Sequence, residues 1–404
     1  MRRSLLSVTL IVAVLCASAP PASARPQWKR DLDRIVRGKS IGVRVGEGGR
    51  TLYSHSSKTR RVPASNQKLL LSMALLDRFE PGHRLPTSVL GARVTRGVLR
   101  GNLFIVGRGD PTLATSGRFA ENLPFEPAYL GRLATKLKKA GLRRIKGRVV
   151  GVHSYFAHDW WASGWKSSFR AMYAPLASAL NINGNVHNGR HIDNPEWRAA
   201  KLLTEKLRAT GVRVGGSPIR GGAPGTGAEV IAQIESPPLS TMLRYMNRKS
   251  SNFFAEVLGK RLGVERSGPL GTMAKGARAI EAWAARYHAS VVAHDSSGLS
   301  SSNRASPKAI TKLIYAAERQ PWGARLRDML PRGGEGTLED RLKGVRVRAK
   351  TGTLDSISTL AGWVKLKRTK SWAAFSLMSK GMPKSTAARL EDRIMRLLRR
   401  RARP

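Results

Sequence analysis

Three short motifs in this 404-residue chain have the residue types and spacing that acyl transfer needs. Ser65-Asn66-Gln67-Lys68 sets a hydroxyl and an amine three residues apart at the head of an apolar run, Leu69 to Leu76. Ser250-Ser251-Asn252 falls between two helical patterns, and Lys350-Thr351-Gly352, continued by Thr353, falls in a strand-like run. Each motif alone is common. All three in this order, each in a fitting local setting, form a specific signal for a serine nucleophile served by a lysine base.

The chemistry follows from the first motif. Residues three apart share a helix face, so Lys68 can bring its amine to the Ser65 hydroxyl. A serine hydroxyl is a poor nucleophile until a base takes its proton, and an ammonium cannot do so. Lowering a lysine from about 10.4 to near 7 means destabilising its charge by roughly 4 kcal/mol. Desolvation by the apolar helix and a second positive charge at Lys350 are the two expected causes. The helix N-terminus favours the anion developing at Ser65. Ser250 supplies a hydroxyl to relay a proton to the leaving group. Asn252 supplies an amide for the substrate backbone and the Lys68 side chain. Lys350 with the Thr351 and Thr353 hydroxyls makes a receptor for a substrate carboxylate, and Gly352 lets a ligand approach the strand closely. The N–H groups of Ser65 and Thr353 are candidates for an oxyanion hole.

Other chemistries are weaker. His187 and His191 lie four apart but enclose Asn188-Gly189, a turn signal, and no His-Glu-x-x-His occurs, so no metal is expected. Gly107-Arg108-Gly109 is not completed to a phosphate loop, and there is no Gly-x-Ser-x-Gly elbow. No cofactor is expected. With one cysteine the chain is neither a disulfide scaffold nor a zinc ribbon.

Composition and charge set the location. Lys and Arg number 72 against 26 Asp and Glu, for a net charge of +46, yet 41% of residues are hydrophobic, enough to bury true cores. Residues 1–24 read as a secretory signal peptide: Arg2-Arg3, an apolar run from Leu5 to Ala17, then Ala22-Ser23-Ala24 for cleavage. Its removal takes away the single cysteine, Cys16, and the chain is expected to be exported, to the periplasm or cell wall. There, a strongly cationic protein meets anionic envelope polymers. No stripe alternates basic and aromatic residues as a nucleic-acid groove would, and no nucleic-acid partner is expected.

The elements that must position these residues come in a definite order. Residues 39–54 read as a hairpin, followed by the buried helix from Ser65. Strand-like runs from Val94 to Val106, a helix ending near Ala140-Gly141, a strand at Ile145–Val152 and a helix from Asn194-Pro195 to Gly211 follow. Gly215 to Gly227 reads as a linker or long turn. Helices are predicted at about 238–248, 253–262, 271–288 and 306–319, the last with Ser306 as N-cap before Pro307. Strands at Val345–Thr353, Ser358–Leu366 and Ser371–Ser379 then lead to a basic amphipathic helix whose apolar face (Leu390, Ile394, Leu397, Leu398) is expected to cover the sheet. The fold class is mixed α+β: a domain of residues 25–85 plus 236–404 with an antiparallel sheet and helices, interrupted by an inserted α/β domain, 86–235. Trp160, Trp161 and Trp165, with Tyr155 and Phe156, read as core or domain-interface packing.

At this point the sequence resembles the class C low-molecular-mass penicillin-binding proteins, the penicillin-binding protein 4 type of D-alanyl-D-alanine carboxypeptidase/endopeptidase, peptidase family S13. Gly107-Arg108-Gly109-Asp110-Pro111-Thr112-Leu113 resembles the family's G-x-G-D-P-T-L. Ala174-Pro175 with Ser178-Ala179-Leu180-Asn181 and Asn185-Val186 resembles its A-P-x-S-A-L segment. Asp295-Ser296-Ser297-Gly298-Leu299-Ser300 resembles its D-G-S-G-L-S, with Ser296 in place of the usual glycine. The resemblance implies a penicillin-recognising, β-lactamase-like catalytic domain, an acyl-Ser65 intermediate, peptidoglycan stem peptides as substrate and β-lactams as covalent inhibitors. It departs at His153, where an acid toward the stem-peptide side chain is expected, and at Asp355. A β-lactamase or esterase on the same scaffold and a non-catalytic cationic envelope-binding protein are the alternative readings.

Overall fold

The computed structural model describes residues 25–402; the expected signal peptide, residues 1–24, lies outside the described residues. After helix α1 (Gln27–Val36), the hairpin forms as β1 (Ile41–Glu47) and β2 (Arg50–His55), turning at Gly48-Gly49. A single 3-10 turn, Ala64–Asn66, feeds α2 (Gln67–Arg78), in which every residue from Gln67 to Leu76 is buried. An apolar surface on all sides of a helix demands neighbours on all sides, and this one runs through the middle of the largest core.

The chain leaves this body along β3 (Pro86–Gly91) and returns along β7 (Glu229–Glu235), which pairs antiparallel with it. Between them lie β4 (Leu103–Gly107), helix α3 (Gly131–Lys139), β5 (Val149–Val152), helix α4 (Pro195–Ala209) and β6 (Ile219–Gly221). The five strands make one mixed sheet in the order β6-β5-β4-β3-β7, with its own core. Asn194 caps α4, its side chain accepting from the Trp197 N–H.

The first body resumes with α5 (Leu239–Lys249), α6 (Asn252–Ser267), α7 (Met273–Arg286), α8 (Pro307–Glu318) and α9 (Gly323–Met329). Ser306 caps α8 through the Ala309 N–H. Strands β8 (Val347–Leu354), β9 (Ile357–Lys365) and β10 (Trp372–Lys380) then join β1 and β2 in a fully antiparallel sheet ordered β8-β9-β10-β1-β2. The terminal helix α10 (Lys384–Arg401) buries Leu390, Ile394, Met395 and Leu398 in one core with α1 and the sheet, as its amphipathic pattern predicts. The opposite sheet face, through Ala361, Trp363, Ala374 and Met378, packs on the helices. Both faces being covered, β9 and β10 read as nearly continuous apolar runs rather than alternating ones.

The structure departs from the sequence expectations inside 86–235. The expected strand Ile145–Val152 is two pieces, Arg144–Ile145 and β5, in different sheets. The break falls at Gly147, where a Cβ would come within 2.5 Å of the Gly101 carbonyl oxygen. Gly215–Gly227 is not a free linker: Ile219–Gly221 forms the edge strand β6, parallel to β5. Strands β3 and β7 and helix α9 carried no prior expectation. No helix among the described residues is long and apolar enough to cross a membrane.

Candidate active site

The site assembles where the start of α2, the α5–α6 turn and strand β8 converge. Ala64 sits at φ 47°, a left-handed conformation that costs a non-glycine residue energy and is held here by its surroundings. Thr359 of β9 donates its hydroxyl to the Pro63 carbonyl at 3.0 Å. Two glycines clasp the same peptide. A Cβ on Gly298 would lie 1.9 Å from the Ala64 carbonyl oxygen, and one on Gly352 would lie 2.9 Å from the Ser65 nitrogen. The Lys-Thr-Gly glycine is thus required by backbone packed against the serine, as well as by any ligand.

Lys68 is fully buried and its amine has three acceptors: Ser65 Oγ at 3.1 Å, Asn252 Oδ1 at 2.7 Å and the Ser297 carbonyl at 2.7 Å. This arrangement suits both protonation states. As an ammonium, Lys68 donates to all three. As an amine, it keeps two donors on Asn252 and Ser297 and turns its lone pair to the Ser65 hydroxyl. Ser65 itself is half-buried. Burial pushes Lys68 down to about 8, against the opposing pull of Asp295 and Glu256. Burial, the first of the two expected causes, dominates. Lys350, also fully buried, is itself pushed well below the usual lysine range, first by burial and then by Lys68.

Ser250 ends α5 in the left-handed region, φ 56°, and Ser251 caps α6 by accepting the Phe254 N–H. Asn252 is therefore the first residue of a helix and faces Lys68, while its Nδ2 donates to the Tyr173 carbonyl at 3.1 Å. Lys350 donates to Ser250 Oγ at 3.0 Å and to its neighbour's carbonyl, Thr351 O, at 2.8 Å. The residues group as Ser65–Lys68–Asn252 and Ser250–Lys350. Thr353 is exposed, and the Thr351 hydroxyl donates to Thr337 Oγ1 at 2.7 Å.

Sequence reasoning missed the layer behind Lys68. Asp295, fully buried, accepts from Trp165 Nε1, Asn303 Nδ2 and the N–H groups of Gly298 and Ser300. Glu256 accepts from the N–H groups of Ser296 and Ser297. Lys260, fully buried, donates to the carbonyls of Ala157, Asp159 and Ala177 and pairs with the Asp159 carboxylate. Asn252, Glu256 and Lys260 recur every four residues, and the residues between them, Phe253 to Gly259, are otherwise buried and without polar side chains, a legible signal. Ser296, in place of a glycine, is accommodated by Gly259, where a Cβ would fall 2.0 Å from the Ser296 hydroxyl.

The other singled-out segments have structural work. Asp110 accepts from the Thr112 N–H and hydroxyl at 2.7 Å each, and Asn181 donates to the Asp110 carbonyl. The G-x-G-D-P-T-L and S-A-L-N stretches thus interlock. Trp165 and Phe156 are core, whereas Trp161 is 44% exposed. His187 and His191 sit on a two-stranded hairpin around Asn188-Gly189. Asp355 occupies the β8–β9 turn and pairs with Lys166 at 2.7 Å. His153 follows β5, its N–H bonded to the Gly221 carbonyl.

A five-stranded antiparallel sheet backed by helices, with a Ser-x-x-Lys helix start lodged between them, is a mixed α+β fold shared with solved structures. The structure superposes on the crystal structure of penicillin binding protein 4 from Haemophilus influenzae with a TM-score of 0.78 at 20% identity, covering 92% of this chain and 99% of that one. A predatory peptidoglycan endopeptidase from Bdellovibrio bacteriovorus aligns with a TM-score of 0.55 at 15% identity, over 90% and 93% of the two chains. In sequence, a D-alanyl-D-alanine carboxypeptidase from Actinomadura sp. (strain R39) is 26% identical over 487 residues, spanning 96% of this chain and 88% of the relative. The family described as D-Ala-D-Ala carboxypeptidase 3 (S13) matches residues 30–191 and 185–401. The chain belongs to the D-Ala-D-Ala carboxypeptidase 3 (S13) family, a family of serine peptidases.

Proposed function

We propose that the protein hydrolyses the terminal D-alanyl-D-alanine bond of peptidoglycan stem peptides, or the equivalent cross-link, through an acyl-Ser65 intermediate, and that penicillins acylate the same hydroxyl. Lys68 takes the Ser65 proton as the oxygen bonds to the penultimate D-alanine carbonyl carbon. The oxyanion rests on the N–H groups of Ser65 and Thr353. The C–N bond then breaks, and the leaving amine receives a proton through Ser250. Water attacks the acyl-Ser65 ester to complete the cycle. Lys350, with Thr351 and Thr353, binds the terminal carboxylate; that anion restores the charge of an amine that burial disfavours in the empty site. Gly352 keeps the strand close to the serine. Residues 86–235 form an inserted domain on a catalytic body of 25–85 and 236–404, and the chain works outside the cytoplasm.

The observation that supports this reading most directly is the threefold hold on the Lys68 amine. The test is incubation with defined monomeric and cross-linked muropeptides. Release of D-alanine from monomeric pentapeptides is expected, and cleavage of the cross-linked ones identifies endopeptidase action. Rapid penicillin turnover without D-alanine release would instead assign a β-lactamase.

We also propose contact with anionic envelope polymers. The observation behind it is a cleft of about 680 Å³ at the far end of the large sheet, lined by Arg327, Arg332, Arg346, Arg348 and Lys365, with Arg327 4.9 Å above the Trp372 ring. Asp328 is the one acid in that lining. Inorganic polyphosphate serves as the probe. Replacing Arg327, Arg346 and Arg348 with alanine is expected to weaken binding at least tenfold. Replacing Arg393, Arg396 and Arg400 on α10 removes the same charge and is expected to cost under threefold. Equal losses would mean a diffuse field and no cleft site.

A further inference from the structure

Glu256 has no task in the chemistry above, although it is 1% exposed and lies one helical turn beyond Asn252. Its Oε1 accepts the Ser297 N–H at 2.8 Å and the Ser296 N–H at 3.2 Å. The carbonyl of the same Ser297 accepts from Lys68. One backbone residue is therefore gripped from one side by Glu256 and from the other by the Lys68 amine. From α6, two consecutive turns reach Lys68: Asn252 directly and Glu256 through Ser297.

We propose that Glu256 is a positioning residue for acyl transfer, holding the Ser297 carbonyl on Lys68 and, by its own charge, setting the pH at which Lys68 becomes able to accept the Ser65 proton. The proposal rests on the reading of Lys68 as the base. The charged and titratable groups facing Glu256 are Lys68 from α2, Asp295 from the loop after α7 and Lys260 from its own helix; Lys350 stands beyond Lys68. Burial and Asp295 push Glu256 up to about 8, against its Ser297 hydrogen bonds and Lys68, so both members of the Lys68–Glu256 pair change charge in one pH range. The direction of their coupling is fixed by sign. A carboxylate favours the ammonium and delays the base to higher pH; a neutral side chain of the same shape removes that bias and frees the amine at lower pH.

The test is the second-order rate of penicillin acylation across the neutral and alkaline range. In the unmodified protein the rate is expected to rise about tenfold per pH unit below an acid limb near 8. Glu256→Gln keeps an oxygen for the Ser296 and Ser297 N–H groups and is neutral at every pH, so its limb is expected to lie lower, the gap from the parent opening over the range in which Glu256 takes up its charge. Glu256→Asp keeps the charge, and its limb is expected to stay in place even where the rate falls. A limb that does not move in Glu256→Gln, or moves upward, overturns the proposal. Should Glu256→Gln fail to fold, Glu256→Asp decides: a limb displaced with the charge retained also overturns it. Lys68→Ala, run alongside, is expected to lose acylation at every pH. If it still acylates, the base reading fails, and that outcome is distinguishable from a failure of the Glu256 proposal alone.

Discussion

With Ser65 replaced by alanine, a fluorescent penicillin leaves no covalent label, intact-mass spectra show no adduct, and D-alanine release falls by roughly 10³-fold or more. The expectation is this steep because the hydroxyl acts as part of a unit. Lys68 is buried with its remaining hydrogen-bond capacity already committed to Asn252 and Ser297, so it has no second nucleophile to activate. The Ser250 hydroxyl is held by Lys350 on the other half of the site. The substitution deletes one half-buried oxygen and no packing, so the thermal midpoint is expected to stay within a degree or two. Persistent labelling of the Ser65→Ala protein would remove the assignment of the nucleophile.

The largest effect on stability is expected at Lys260. Its ammonium is bonded to three carbonyls, at 3.0, 3.0 and 2.9 Å, in addition to the Asp159 carboxylate. Lys260→Ala removes the cation from all four, leaving three carbonyls without this donor and the partly buried Asp159 carboxylate with the Met273 N–H but no countercharge. Breaking such a pair from one side costs about 3–5 kcal/mol, and a fall in midpoint of about 5–10 °C is expected. Differential scanning fluorimetry checks it, and a midpoint unchanged from the parent protein would show that the 157–177 segment is held by other contacts. Penicillin acylation is expected to drop as well, since the same segment brings the Tyr173 carbonyl to Asn252.

Much of this site was legible because its chemistry is local. Ser65 and Lys68 share a helix face by spacing alone, and Ser251 and Asn252 open a helix in the way capping residues do. Ser306 and Asn194 mark their helix starts for the same reason. The layer behind was harder to read because it is tertiary. That Asp295 and Glu256 stand behind Lys68 depends on how a loop folds back onto α6. Of the two causes expected for the Lys68 shift, burial was the legible one, because the apolar run after Ser65 shows it directly. The missed strands have two causes: β3 and β7 place polar residues at both buried and exposed positions, and β6 hides in a glycine-rich stretch where composition argues for a turn.

The stretch from Tyr155 to Ala177 belongs by sequence to the excursion between β3 and β7, yet it reaches Asp295 through Trp165, Lys260 through Ala157, Asp159 and Ala177, and Asn252 through Tyr173. The excursion is therefore not a detachable module. A shortened or chimeric enzyme built by cutting at the two points where the chain leaves and re-enters would lose one wall of its own reaction chamber.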